Sequence, residues 1–172
     1  MTSEFAVAVH ALVFLNHKQT TVSSELLAQN ICTNAARVRK VMAVLKRAGL
    51  IETKEGLDGG YLFTLPADGV TLCRIADALG ARFVCASWHS GKADMPCLVA
   101  SGMAGILDGI YDDLDALCRE RLKKVTIGSI DRRIFGGKEA GINRQDDGND
   151  EQKTKWLEGN KNGGQDADKG SF

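Results

Sequence analysis

Residues 23–54, SSELLAQNICTNAARVRKVMAVLKRAGLIETK, decide the fold. Ser23 or Ser24 offers a hydroxyl to the orphan amides of a helix start, and Glu25 suits the positive end of the helix dipole. That helix runs through SELLAQNI and breaks at Cys32-Thr33-Asn34. Thr33 or Asn34 then caps a second helix, in which Val38, Val41, Met42 and Leu45 recur at i, i+3, i+4 and i+7 as one apolar stripe. Gly49 ends it. Two helices separated by a three-residue turn form the helix-turn-helix pattern.

Upstream, Phe5, Val9, Leu12 and Val13 follow helical spacing and predict a first helix over 3–16. Glu4 and His10 interrupt this apolar stretch and no small-residue cleavage site follows, so it reads as a core helix and not an export signal. Downstream of Gly49 the period shortens. Residues 50–54 and 61–65 read as short strands joined by EGLDGG, a β-hairpin with a glycine-rich tip. Pro66-Ala67-Asp68-Gly69 turns the chain, and Val70 or Thr71 opens a further helix with Leu72, Ile75, Ala76 and Leu79 on one face. The expected class is mainly α with a small β-hairpin wing: a winged helix-turn-helix.

The connection to residue 94 reads as a short apolar segment, ARFVCA, and then a polar loop, SWHSGKAD, and a long helix over 95–125 follows. In it Met103, Leu107, Ile110, Leu114 and Leu117 alternate spacings of four and three, a coiled-coil-like seam. At about 1.5 Å per residue such a helix is about 45 Å long, more than so small a domain can cover, and a second subunit is the expected cover. Residues 126–135 predict one more short helix. The domain expectation is a winged helix-turn-helix over 1–81, a connecting and sensor loop over 82–94, a dimerisation region over 95–135 and a disordered tail over 136–172, where polar residues predominate.

The formal net charge is zero, but it is unevenly spread. Between Asn34 and Lys54 stand Arg37, Arg39, Lys40, Lys46, Arg47 and Lys54 against Glu52 alone. At 100° per residue Arg37, Lys40 and Arg47 lie along one side of the helix over 34–48, Arg39 and Lys46 flank them, and the apolar stripe faces inward. A helix with a dry back and a positive front beside a wing fits double-stranded DNA. Arginine reads guanine bidentately in the major groove, Asn34 reads adenine or only caps, and lysines hold phosphate. The wing adds Lys54 and the backbone amides of Gly59 and Gly60, with Tyr61 behind them. The alternative for the same pattern is a protein-interaction module whose basic face is merely solvated.

These segments resemble the Rrf-two family of bacterial winged-helix transcriptional regulators over about residues 5–130. The carriers are SSELLAQNICTNAARVRKVMAVLKRAGLI, then GLDGGYLFTLPADGVTLCRIADAL, then MPC before the long helix. The resemblance implies a homodimer through the long helix, an inverted-repeat operator and one recognition helix per half-site. Wings of that family usually carry Arg-Gly where Glu55-Gly56 stands here, which leaves Lys54 as the basic wing residue. Its cluster-binding members carry three closely spaced cysteines near the start of the long helix, where this chain has Cys85 and Cys97. An iron-sulfur set completed by His89 and Asp94 is the alternative reading, and no cofactor or metal is the preferred one.

The five cysteines, Cys32, Cys73, Cys85, Cys97 and Cys118, are odd in number and dispersed, which points to free thiols in a reducing cytoplasm and not to a disulfide framework. With Pro96 at the first helical position, Cys97 falls in the first turn of the long helix, where the dipole favours thiolate. It is the first candidate for a redox sensor, with Cys32 and Cys85 as further candidates. No catalytic triad, phosphate-binding loop, paired catalytic carboxylates or zinc spacing is present, so no enzyme is expected. The reading is a cytoplasmic, homodimeric, DNA-binding repressor that responds to thiol oxidation or a related stress, without membrane association.

Overall fold

The computed structural model describes residues 2–56 and 59–136. Helices α1 (Thr2–Lys18), α2 (Ser24–Ile31) and α3 (Ala35–Arg47) are followed by strands β1 (Glu52–Lys54) and β2 (Gly60–Leu62). A 3-10 turn (Ala67–Gly69) leads to α4 (Leu72–Ala78), α5 (Leu98–Lys123) and α6 (Ile127–Phe135). The tail expectation over 136–172 lies, apart from Gly136, outside the described residues.

Local chemistry sets the boundaries of the helix-turn-helix. Ser23 Oγ accepts the Leu26 amide at 3.2 Å and starts α2. Cys32 ends it in the left-handed region, at φ 57°, while the Thr33 amide reaches the Ala28 carbonyl at 2.9 Å. Asn34, not Thr33, caps α3, its Oδ1 accepting the Arg37 amide at 2.7 Å. Gly49, at φ 65°, lets the Leu50 amide close back on the Leu45 carbonyl at 2.9 Å.

The core is formed by Ala8, Ala11, Leu12 and Leu15 of α1, Leu27 of α2, Val38, Val41, Met42 and Leu45 of α3, Ile75 of α4 and Ile127 of α6. The hairpin is shorter than the sequence suggests, because Leu50, Ile51 and Phe63 are buried in this core and not in the ladder. Glu52 faces Leu62, Thr53 faces Tyr61 and Lys54 faces Gly60. On its other side Tyr61 exchanges backbone hydrogen bonds with Val22 at 2.9 and 3.0 Å, which ties the wing to the α1–α2 connection. A Cβ at Gly60 would lie 2.3 Å from the Val22 carbonyl oxygen, so this approach requires glycine.

Two placements depart from expectation. Helix α5 starts at Leu98, so Cys97 is its N-cap residue in extended conformation and Pro96 precedes the helix instead of opening it. Helix α6, capped by a reciprocal Thr126–Ser129 box, packs on α1 and the 3-10 turn. There His17 stacks on Phe135 with ring centroids 3.8 Å apart, and Arg132 donates to Asp68 at 2.8 and 2.9 Å. By packing, α6 therefore belongs to the winged-helix core, although the sequence grouped it with the long helix.

Candidate nucleic-acid interface

Opposite the buried stripe of α3 stand the exposed residues Ala36, Lys40, Ala43 and Arg47, with Arg39 and Lys46 on one flank and the half-buried Arg37 on the other. The basic front expected from the sequence is thus present. Ala36 and Ala43 at its centre were not anticipated, though helical projection places them diametrically opposite the apolar stripe. Their small side chains leave the helix backbone open to close approach by a groove.

The charges on this front are not all unpaired. Arg39 donates to Glu25 at 2.7 Å and to Ser24 Oγ at 3.1 Å, and the bond from Arg39 holds the Glu25 carboxyl below the usual carboxylate range. Lys40 Nζ lies 2.7 Å from Glu4, whose carboxyl it likewise lowers. These pairs are solvent-exposed, so each contributes little to stability and yields readily to a phosphate. Arg37, Lys46, Arg47 and Lys54 have no carboxylate partner among the described residues. The pairing of Ser24, Glu25 and Glu4 with these basic residues escaped sequence reasoning because they lie 14 to 36 positions from the residues they hold.

In the wing, Lys54 is exposed at the end of β1. The Gly59 amide, expected to face phosphate, instead donates to the Gly56 carbonyl at 3.0 Å within the turn. Gly60 serves the contact with Val22. Tyr61 is half-buried beside the Glu25–Arg39 pair, and burial pushes its phenol pKa up.

Cys97 and Cys85 are exposed. The amides of Ala100 and Val99 at the open end of α5 favour the Cys97 thiolate and lower its pKa. Cys85 lines a cleft of about 310 Å³ with Arg82, Ala86, His89, Asp108, Tyr111 and Asp112. Cys32 is exposed in the turn before α3. Cys73 is buried, its sulfur 3.7 Å from Asp77, and burial raises its pKa.

An iron-sulfur set of Cys85, His89, Asp94 and Cys97 is not assembled. No three His, Cys, Asp or Glu side chains among the described residues converge as metal ligands, and the His89 ring is bonded to Asp108 at 3.0 Å. These residues do not fit a cluster.

On α5 Leu98 is exposed at the first turn, and Val99 (66%), Ile106 (61%), Ile110, Leu114 and Leu117 (66%) form an exposed apolar stripe. Met103 and Leu107 of the expected seam are half-buried within the chain, and Ile106 takes the outward place. No helix among the described residues is long and apolar enough to cross a membrane.

The basic helix, its turn and the β-hairpin make this a winged helix-turn-helix protein. The chain belongs to the Rrf2 (Rrf-two) family, whose profile, described as "Iron-dependent Transcriptional regulator", matches residues 1–132. Members of this family are transcriptional regulators and not enzymes. The chain is 24% identical over 135 residues to YwnA of Bacillus subtilis, named "Putative HTH-type transcriptional regulator", covering 78% of this chain and 99% of that one. Among solved structures it is similar to IscR of T. potens, with TM-score 0.57 at 16% identity over 84% of this chain and 93% of that one. It is similar as well to CymR of B. subtilis, the "Global Cysteine Regulator", with TM-score 0.55 at 17% identity over 77% and 96%. At these identities the structural likeness speaks for the fold alone.

Proposed function

We propose that this transcriptional regulator binds double-stranded DNA as a homodimer, represses from an inverted-repeat operator and responds to thiol oxidation. The observation that carries the DNA reading is the α3 front: Ala36, Lys40, Ala43 and Arg47 between basic flanks, opposite a fully buried stripe. Such a helix enters a major groove with Arg37 and Lys40 near base edges or phosphates, while Thr33 and Asn34 approach the backbone at its N-terminus. Asn34 Oδ1 accepts the Arg37 amide, which supports capping over base reading as its role. The exposed apolar side of α5 supports the dimer, and two-fold symmetry of the dimer calls for a two-fold operator.

The thiol reading rests on the exposure of Cys97 and the stabilisation of its thiolate. Hydrogen peroxide would form an S–O bond with the thiolate as its O–O bond breaks and water leaves. The resulting sulfenic acid then condenses with the Cys85 thiol, or a partner-subunit thiol, releasing a second water and closing a disulfide.

Anisotropy titrations on operator DNA selected from a genomic library test both parts. Arg37→Ala with Lys40→Ala should weaken binding by at least about tenfold at physiological salt. Failure of the reduced wild-type protein to select any DNA would sink the DNA reading. Diamide or peroxide should lower affinity in wild type and leave Cys97→Ser unchanged. Equal affinity of reduced and oxidised wild type would end the thiol reading alone.

A further inference from the structure

On α5, Asp108, Asp112, Asp115 and Arg119 recur at intervals of four, three and four, which places them along one side of the helix. Every one of them grips the connection from α4. Asp108 holds His89 at 3.0 Å and Asp112 pairs with Arg82. Asp115 accepts the Phe83 and Val84 amides at 2.7 and 3.1 Å and the Arg119 guanidinium at 3.2 Å. Arg119 donates in turn to the Ala81 carbonyl at 2.8 Å and pairs with Asp77 of α4. At 100° per residue this polar track lies opposite the exposed stripe of Val99, Ile106, Ile110, Leu114 and Leu117. One side of α5 therefore holds the winged-helix domain, while the other is left uncovered by the described residues.

The contacts are unequal. The Arg82–Asp112 and His89–Asp108 pairs are largely exposed and hold weakly. Asp115 is the one buried charged side chain among the described residues, 6% exposed, and its oxygens are satisfied by backbone amides as well as by Arg119. Charge-assisted bonds to backbone fix the path of the chain and not merely a side-chain rotamer. A connection bonded this way at Ala81, Phe83 and Val84 does not hinge there.

We infer that Asp115 and Arg119 are positioning residues that set the separation of the two recognition helices in the dimer, and so select the half-site spacing of the operator. This rests on the DNA-binding, dimeric reading above. It assigns to α5 a role distinct from self-association: the helix that joins two subunits also orients each winged helix on its opposite side.

The test uses full-length protein and the operator that wild type selects from random DNA, together with operators whose half-sites are moved apart or together by about two base pairs. Wild type should prefer its own spacing by about tenfold or more, and Asp115→Asn and Arg119→Gln should bring that ratio near one, the size of effect expected for a coupling element. Hydrogen exchange at the Phe83 and Val84 amides should quicken by about tenfold or more in Asp115→Asn, since their acceptor is weakened. If Asp115→Asn does not fold, Arg119→Gln, whose side chain is partly solvent-facing, carries the test. Lys40→Ala is the control, weakening all spacings equally and leaving the ratio intact. Wild-type spacing preference retained in Arg119→Gln and in folded Asp115→Asn would overturn the positioning role alone. Absence of wild-type DNA binding would overturn the reading beneath it.

Discussion

A carboxylate removed from water needs donors to replace its hydration, and at Asp115 these are the Phe83 and Val84 amides and Arg119. The two amides hold its pKa below the ordinary carboxylate range against the upward push of burial, with Arg119 adding to them. Arg82 of the connection and Asp77 beside Arg119 complete the charged surroundings. Because the folded pKa is depressed, the contribution of Asp115 to stability is complete above the unfolded carboxylate value. It is lost as pH falls from there through the folded value. Urea unfolding of Asp115→Ala at neutral pH should show a loss of about 3 kcal/mol, the size typical of breaking a buried charged network. The gap to wild type should narrow below about pH 4, where the unfolded carboxyl takes up its proton. A gap that stays constant down to acid unfolding would mean that Asp115 is not ionised in the folded protein.

At the scale of elements, two segments owe their place to contacts outside themselves. The hairpin docks through Gly60 against Val22, where any Cβ would meet a carbonyl oxygen that cannot swing aside. Gly60→Ala should cost about 2 kcal/mol or more by overpacking, and it should release the wing, visible as loss of the Tyr61–Val22 amide protection. Helix α5 is 26 residues long, about 39 Å, and bears an apolar side that the other described residues leave uncovered. Leu114→Lys with Leu117→Lys should shift the protein to monomer in light scattering and remove the concentration dependence of its melting temperature. A wild-type protein already monomeric at tens of micromolar would count against α5 as the dimer element.

Considered as a whole molecule, the electrostatic footprint is local, set against a chain of zero formal net charge. DNA affinity should fall with salt in proportion to the phosphates neutralised, with a slope near −0.9 for each. Lys54 has no carboxylate partner among the described residues and stands on the wing. Lys54→Ala should therefore reduce the slope of a dimer by about two, one phosphate per subunit, while leaving sequence preference unchanged. An unaltered slope would place the wing away from the DNA backbone.

By itself the sequence determined the helix-turn-helix, the glycine-tipped hairpin, the starts of α2, α3 and α4 to within one residue and the opposition of basic and apolar sides on α3. All of these are written in spacings of a few residues, where backbone sterics and i to i+4 geometry act directly. The structure chose Ser23, Asn34 and Thr71 as the caps. The tertiary structure alone decided which bases are already held, since Glu4 and Glu25 reach Lys40 and Arg39 only after α1 and α2 have packed on α3. It also turned Ile106 outward in place of Leu107, returned α6 to α1 and closed the Asp115–Arg119 network on the connection from α4. Each of these joins residues far apart in the chain, and no local period encodes a contact that exists only once separate elements share a surface.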